Sequence, residues 1–277
     1  MRWMSARTAA AVTIATTSAI ATTSFAHVLL TPASEPTRVL VLNMHAGKDA
    51  AGKSNLDAIV ALVKKTGADL VLLQEVDRGT ARSGNVDQVN VLGTSLKFAT
   101  AFAASLLHYD GGQYGIATLA RGFIGYSDTW PLPVTPVQTR AGGSNEPRVA
   151  LIALATLKTG ELTSINTHLD PADGPARAQE VTHLVDAIHG QYSAGGSFVV
   201  GGDFNSTPDN PVLAPLRNAG LRDAWVECGS GDGFTYPADK PAKRIDYLFL
   251  TGALHCSAAT VIDTQILDHR PLLVTLK

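Results

Sequence analysis

From residue 38 onward the apolar positions fall into short continuous runs separated by amphipathic stretches. Residues 38–43, RVLVLN, read as a strand that closes on an amide. SNLDAIVALVKKTGA, 54–68, repeats its apolar residues at helical spacing, with Ser54 as a candidate N-cap and Gly67 where a helix would stop. DLVLLQEV, 69–76, is apolar almost throughout, the pattern of a strand buried on both faces. A helix is expected over VDQVNVLGTSL, 86–96, and strands over 98–104, 114–121, 148–157 and 161–168. A helix from about 175 to 190 leads into a buried strand at 197–202, and late strands are expected at 245–250, 257–262 and 271–276. Gly/Pro-rich stretches at 131–147 and 228–243 read as loops at a surface rim. Strand–helix–strand units mixed with hairpin-like pairs predict an α/β (α+β) chain of mixed sheets with helices outside.

Polar residues recur where these strands end: Asn43, Glu75, His168, Asp203 with Asn205, Asp246, and Asp268 with His269. Strand interiors do not tolerate so many unpaired polar groups, but gathered at one end of a sheet system they would form one site. A carboxylate such as Glu75 behind a buried strand costs several kcal/mol unless it is paired or binds a cation. The alternative for Glu75 is a salt bridge to Arg78 or Arg82. Oxygen donors with few imidazoles and no thiols suit a hard cation, Mg2+ or Mn2+ in its place. In KRIDYLFL and LDHRP, Asp246 could sit on one nitrogen of His269, setting its tautomer and raising its basicity. His108, His183, His189 and His255 lie outside any polar cluster and are read as having no role. No GxSxG, HExxH or complete P-loop pattern occurs, and the GKS at 52–54 reads as the turn into a helix.

Length and composition change the picture little: 277 residues, 45% hydrophobic, suit one large domain. The N-terminus differs. Arg2 and Arg7 precede an Ala/Thr/Ile stretch over 9–23, and SFA ending at Ala26 has the small residues of a cleavage site, so 1–26 read as a secretory signal. Its removal takes two of 22 basic residues and leaves 20 against 24 acidic ones, a net charge of −4. Such a chain lacks a basic stripe for holding nucleic acid by charge alone. In an exported protein Cys228 and Cys256 form one disulfide or remain two buried thiols.

In order, LNMH, LLQEVD, NTHLD, GGDFNSTP, RIDYLFL and LDHRPLLVTL resemble the endonuclease/exonuclease/phosphatase superfamily, which includes deoxyribonucleases, apurinic-site endonucleases, neutral sphingomyelinases and inositol-phosphate phosphatases. The resemblance covers residues 37–277. It implies a four-layer sandwich, two mixed sheets packed face to face with helices outside, and an Mg2+-dependent phosphoester hydrolase. Residue by residue it implies that Asn43, Glu75 and Asp268 bind metal, and that His168 contacts the scissile phosphate. Asp203 and Asn205 position water and phosphate, and His269, oriented by Asp246, is the general base, with Asp203 the alternative. Where many relatives read YGNAILSR this chain reads QYGIATLAR, with Ile116 where an amide often sits and Tyr114 kept to line the phosphate pocket. Arg82 could receive a phosphate oxygen in bidentate fashion, while Arg78 reads as a surface salt bridge. The expected substrate is a phosphoester, nucleic acid or a lipid or inositol phosphate, met by a secreted or periplasmic monomer without a stable protein partner. Neither Trp130 nor Trp225 has a second aromatic beside it to make a membrane hairpin. A silent binding module on the same fold would lack one of Glu75, His168, Asp203, Asp246 or His269, and all are present.

Overall fold

The structure, a computed structural model, describes residues 35–49, 51–136, 146–192 and 196–277. The expected signal segment lies outside the described residues. In chain order the strands are β1 (Thr37–Asn43), β2 (Leu70–Arg78), β3 (Ala99–Tyr109), β4 (Gly112–Ala120), β5 (Gly122–Leu132), β6 (Arg148–Leu157), β7 (Gly160–His168), β8 (Phe198–Asp203), β9 (Arg222–Asp223), β10 (Asp246–Leu250), β11 (Cys256–Val261) and β12 (Leu272–Leu276). The helices are α1 (Leu56–Thr66), α2 (Gln88–Leu96), α3 (Gly174–Gln191), α4 (Ala214–Asn218) and α5 (Ala224–Cys228). One six-stranded sheet runs β11-β12-β1-β2-β4-β3 and the other β5-β6-β7-β8-β10-β9. β1–β2 and β7–β8 are parallel pairs, and the remaining neighbours are antiparallel.

Alternate side chains of a strand point to opposite faces, and the sequence supplies apolar residues to both. On β1, Val39 and Val41 join Leu72, Val199, Leu248 and Val274 in the core between the sheets. Leu40 and Leu42 pack outward with Ile59, Val63 and Leu92 of α1 and α2. On the second sheet Val200, Tyr247 and Phe249 face out against Val181, Leu184 and Ile188 of α3. Two sheets between two helical layers make the four-layer sandwich.

Two local features depart from expectation. Asn55, not Ser54, is the N-cap of α1, and its amide donates to Ile266 O instead of capping. Gly67 ends that helix in the left-handed conformation, as expected. The pattern also passes over β5: it is an edge strand whose side chains are mostly exposed, so selection for burial leaves no period to read. Cys228 and Cys256 are joined in a disulfide that ties α5 to β11. Among the described residues no helix is long and apolar enough to cross a membrane.

Candidate active site

The topology brings the strand-end residues together. His168 of β7 pairs in register with Asp203 of β8, and Asp203 with Asp246 of β10. Three adjacent strands thus place an imidazole and two carboxylates in one row. In the facing sheet the parallel pair β1–β2 ends with Asn43 opposite Gln74, and Glu75 follows. Asp268 and His269 lie just before β12. Glu75, Tyr114, His168, Asp203, Asn205, Asp268 and His269 all line one cavity of about 720 Å³.

Glu75 reaches this cavity because the pairing of β2 with β4 slips there. The register with β4 shifts between Leu73 and Val76, and Glu75 has φ +56°. A bulge with a left-handed non-glycine residue re-aims a side chain at a cost of order 1–3 kcal/mol. Gln74 stays buried, donating to Asn166 Oδ1 at 2.7 Å, and Asn166 returns bonds to Leu73 O and Ala117 O across the sheets. Asn43 Oδ1 accepts from the His45 N–H, which fixes the amide's orientation. Its Nδ2 donates to Glu75 Oε1 (3.2 Å) and Asp203 Oδ2 (3.1 Å), so as placed Asn43 bridges two carboxylates rather than turning its oxygen to a cation.

Phe204 is fully buried, edge-on to Tyr247 and Phe249, and holds the turn after β8. Asp203 Oδ1 accepts from the Asn205 N–H (2.9 Å), and Asn205 Nδ2 donates to Leu169 O. Of the two glycines before them, Gly202 has φ +141°, and a Cβ there would meet Thr167 O at 1.9 Å. The glycine thus serves the close approach of β7 rather than room beside the site.

His269 Nδ1 lies 2.9 Å from Asp246 Oδ2, and its Nε2 lies 3.7 Å from Asp203 Oδ2. Burial disfavours a charged imidazole here, but the Asp246 and Asp203 carboxylates outweigh it and raise the pKa to about 10. Burial, then the neighbouring Asp246, pushes Asp203 up to about 7. His168 is held well below its ordinary value, by burial first and then by the Arg148 and His269 charges. The Tyr114 hydroxyl is raised by burial and by Glu75 and Glu146, so it stays a donor at neutral pH.

Atoms of Asp203, Asp246 and His269 lie within 4.8 Å of one another, a buried group that could hold a metal ion. Buried Oδ1 atoms of Asp246 and Asp268 have no hydrogen-bond partner. The orphaned Asp268 oxygen, in the cavity that Glu75 also lines, fits a hard divalent cation.

Arg82 lines the cavity, but Nε and Nη2 both donate to Asp77 at 2.7 Å, and Nη1 donates to Tyr109. The bidentate fork expected for phosphate is therefore filled by a carboxylate. Arg78 pairs with Asp87 on the surface, as expected. Ile116 packs among Ala101, Ala103, Val149 and Leu151, so this position is core here. Trp225 is half-buried against the inter-sheet core, and Trp130 packs on Tyr192. Sequence reasoning passed over Asp77, Glu146, Arg148 and Glu180. The one available signal was charge at the mouth of an apolar run, in EPRVALIAL.

Two packed mixed sheets with a row of carboxylates and imidazoles at one end suit metal-assisted hydrolysis. The chain belongs to the Endonuclease/Exonuclease/phosphatase family, whose model matches residues 40–269. Its structure is similar to that of an endonuclease/exonuclease/phosphatase from Beutenbergia cavernae, at 20% identity and TM-score 0.72 over 88% of this chain and 72% of that one. It is also similar to a mannosyl-6-phosphatase from Bacteroides thetaiotaomicron (18%, TM-score 0.72, 87% and 99% covered). A third similar structure is the human Nocturnin catalytic domain (20%, TM-score 0.68, 87% and 94% covered). No curated protein matches the chain in sequence.

Proposed function

We propose that the protein is an exported, Mg2+-dependent hydrolase of phosphoesters, secreted or periplasmic and monomeric, acting on a nucleic acid or on a lipid or inositol phosphate. The observation that carries this reading is the His269 pair of contacts: Nδ1 on Asp246 and Nε2 turned to Asp203 in a cavity wall. Glu75 and Asp268 would hold the ion, with Asn43 linking Glu75 to Asp203 through its two N–H bonds. A divalent ion held there would neutralise phosphate charge, polarise the P–O bond and offset the carboxylate charge that raises His269. His269 takes the proton of the attacking water through Nε2, and Asp246 keeps its tautomer. Asp203, pinned by the Asn205 N–H, orients that water, while Tyr114 and His168 donate to phosphate oxygens.

The test is a panel of plasmid DNA, RNA, sphingomyelin, a phosphoinositide and bis-p-nitrophenyl phosphate, offered with Mg2+ and again with EDTA. Hydrolysis of at least one substrate, lost with EDTA, is expected; inactivity on all five would refute the reading. Export is checked separately, by N-terminal sequencing of secreted material, which should begin after Ala26; an intact Met1 would refute it.

A further inference from the structure

Arg148 opens β6 and is 4% exposed. Its Nη1 lies 3.1 Å from Glu146 Oε1 and 3.3 Å from His168 Nδ1. A guanidinium nitrogen only donates and stays protonated in proteins, and Nη1 carries two hydrogens, one for each partner. Nδ1 of His168 is therefore the acceptor and bears no proton. The single proton of that imidazole is on Nε2, which lies 3.7 Å from Asp203 Oδ2 in the cavity wall. His269 is built in the opposite sense. A carboxylate accepts from its Nδ1, so its Nε2, at the same distance from the same Asp203 oxygen, is the atom through which it exchanges a proton with water.

We propose that Arg148 is a positioning residue that locks His168 as a neutral Nε2–H donor. His168 then gives a hydrogen bond to a phosphate oxygen and cannot accept the proton of the attacking water, which His269 takes in the proposed mechanism. This rests on the proposed hydrolase function. Glu146 completes the device, because a buried arginine is costly without a carboxylate partner, and Ser105 Oγ stands 3.5 Å from the same oxygen.

The tautomer is read by two-bond 1H–15N correlation NMR on the full chain at pH 7, with the His168 signals assigned by their loss in His168→Gln. Wild type and Arg148→Lys should show His168 protonated on Nε2 and bare on Nδ1. The Arg148→Met/Glu146→Gln double variant, which removes both members of the ion pair, should show a mixture of tautomers. On a diester it should lose about 10–100-fold in kcat relative to Glu146→Gln alone, the usual range for groups that orient a ligand residue. Arg148→Lys should recover most of that loss. A wild-type Nδ1–H tautomer or an imidazolium, or a double variant that keeps the wild-type tautomer, would overturn the proposal. The tautomer is read without turnover, so its failure leaves the hydrolase reading standing, and an inactive enzyme leaves the tautomer result intact.

Discussion

Glu180, in α3, is wholly buried. Its Oε2 accepts from the Asp170 N–H at 2.9 Å, and its Oε1 has no hydrogen-bond partner. Burial pushes its pKa from 4.5 up to about 7, against the opposing pull of the Asp170 N–H and of Arg148 and Arg177. The folded value lies above the unfolded one, so between the two the folded chain holds a proton that the unfolded chain has released. This contribution to stability is fully present below about 4.5 and is lost as pH rises through about 7. At ~1.4 kcal/mol per pH unit, the gap amounts to roughly 3 kcal/mol. Glu180→Gln keeps an acceptor for the Asp170 N–H and cannot ionise. Urea unfolding of both proteins should therefore come closest near pH 4, with the variant gaining roughly 3 kcal/mol on wild type by pH 8. Other titrating groups are common to both and cancel in the difference. A difference that does not change with pH, or one that grows in favour of wild type, would refute the reasoning.

Three further substitutions test the frame of the fold. Gly202→Ala should cost more than about 3 kcal/mol in urea unfolding, since its Cβ would collide with β7 backbone, whereas Gly84→Ala, left-handed but facing open space, should cost about 1–2 kcal/mol; equal costs would contradict the close-approach account. Cys228→Ser should lower stability by roughly 3 kcal/mol for a bridge spanning 28 residues, and a variant as stable as wild type would show that the bridge does not constrain the unfolded chain.

Much of this site could be read from residue order alone, because buried strands punctuated by single polar residues leave few other places for those residues to go. β1, β2 and β8 announced themselves as apolar on both faces, and Asp203, Asp246 and His168 then fell into one row through strand register. What the pattern did not carry is geometry that violates a local rule. The left-handed Glu75 has no glycine to mark it, and the bulge is set by pairing with β4, which lies some 40 residues on. The exposed β5 has no burial period. Partner choice was equally hidden: whether Arg82 meets Asp77 or a phosphate, and whether Arg148 meets His168, depends on contacts between residues distant in sequence or in neighbouring turns. Asn43 illustrates the same point, since its residue type suits a ligand but the His45 N–H decides which way its amide faces.

The proposed proton transfer to Asp246-held His269 is tested most directly by single-turnover hydrolysis, by wild type and His269→Ala in saturating Mg2+, of whichever substrate the panel yields. The variant should bind substrate as wild type does and turn it over about 10²–10⁴-fold more slowly. A variant that hydrolyses the substrate at the wild-type rate would contradict it.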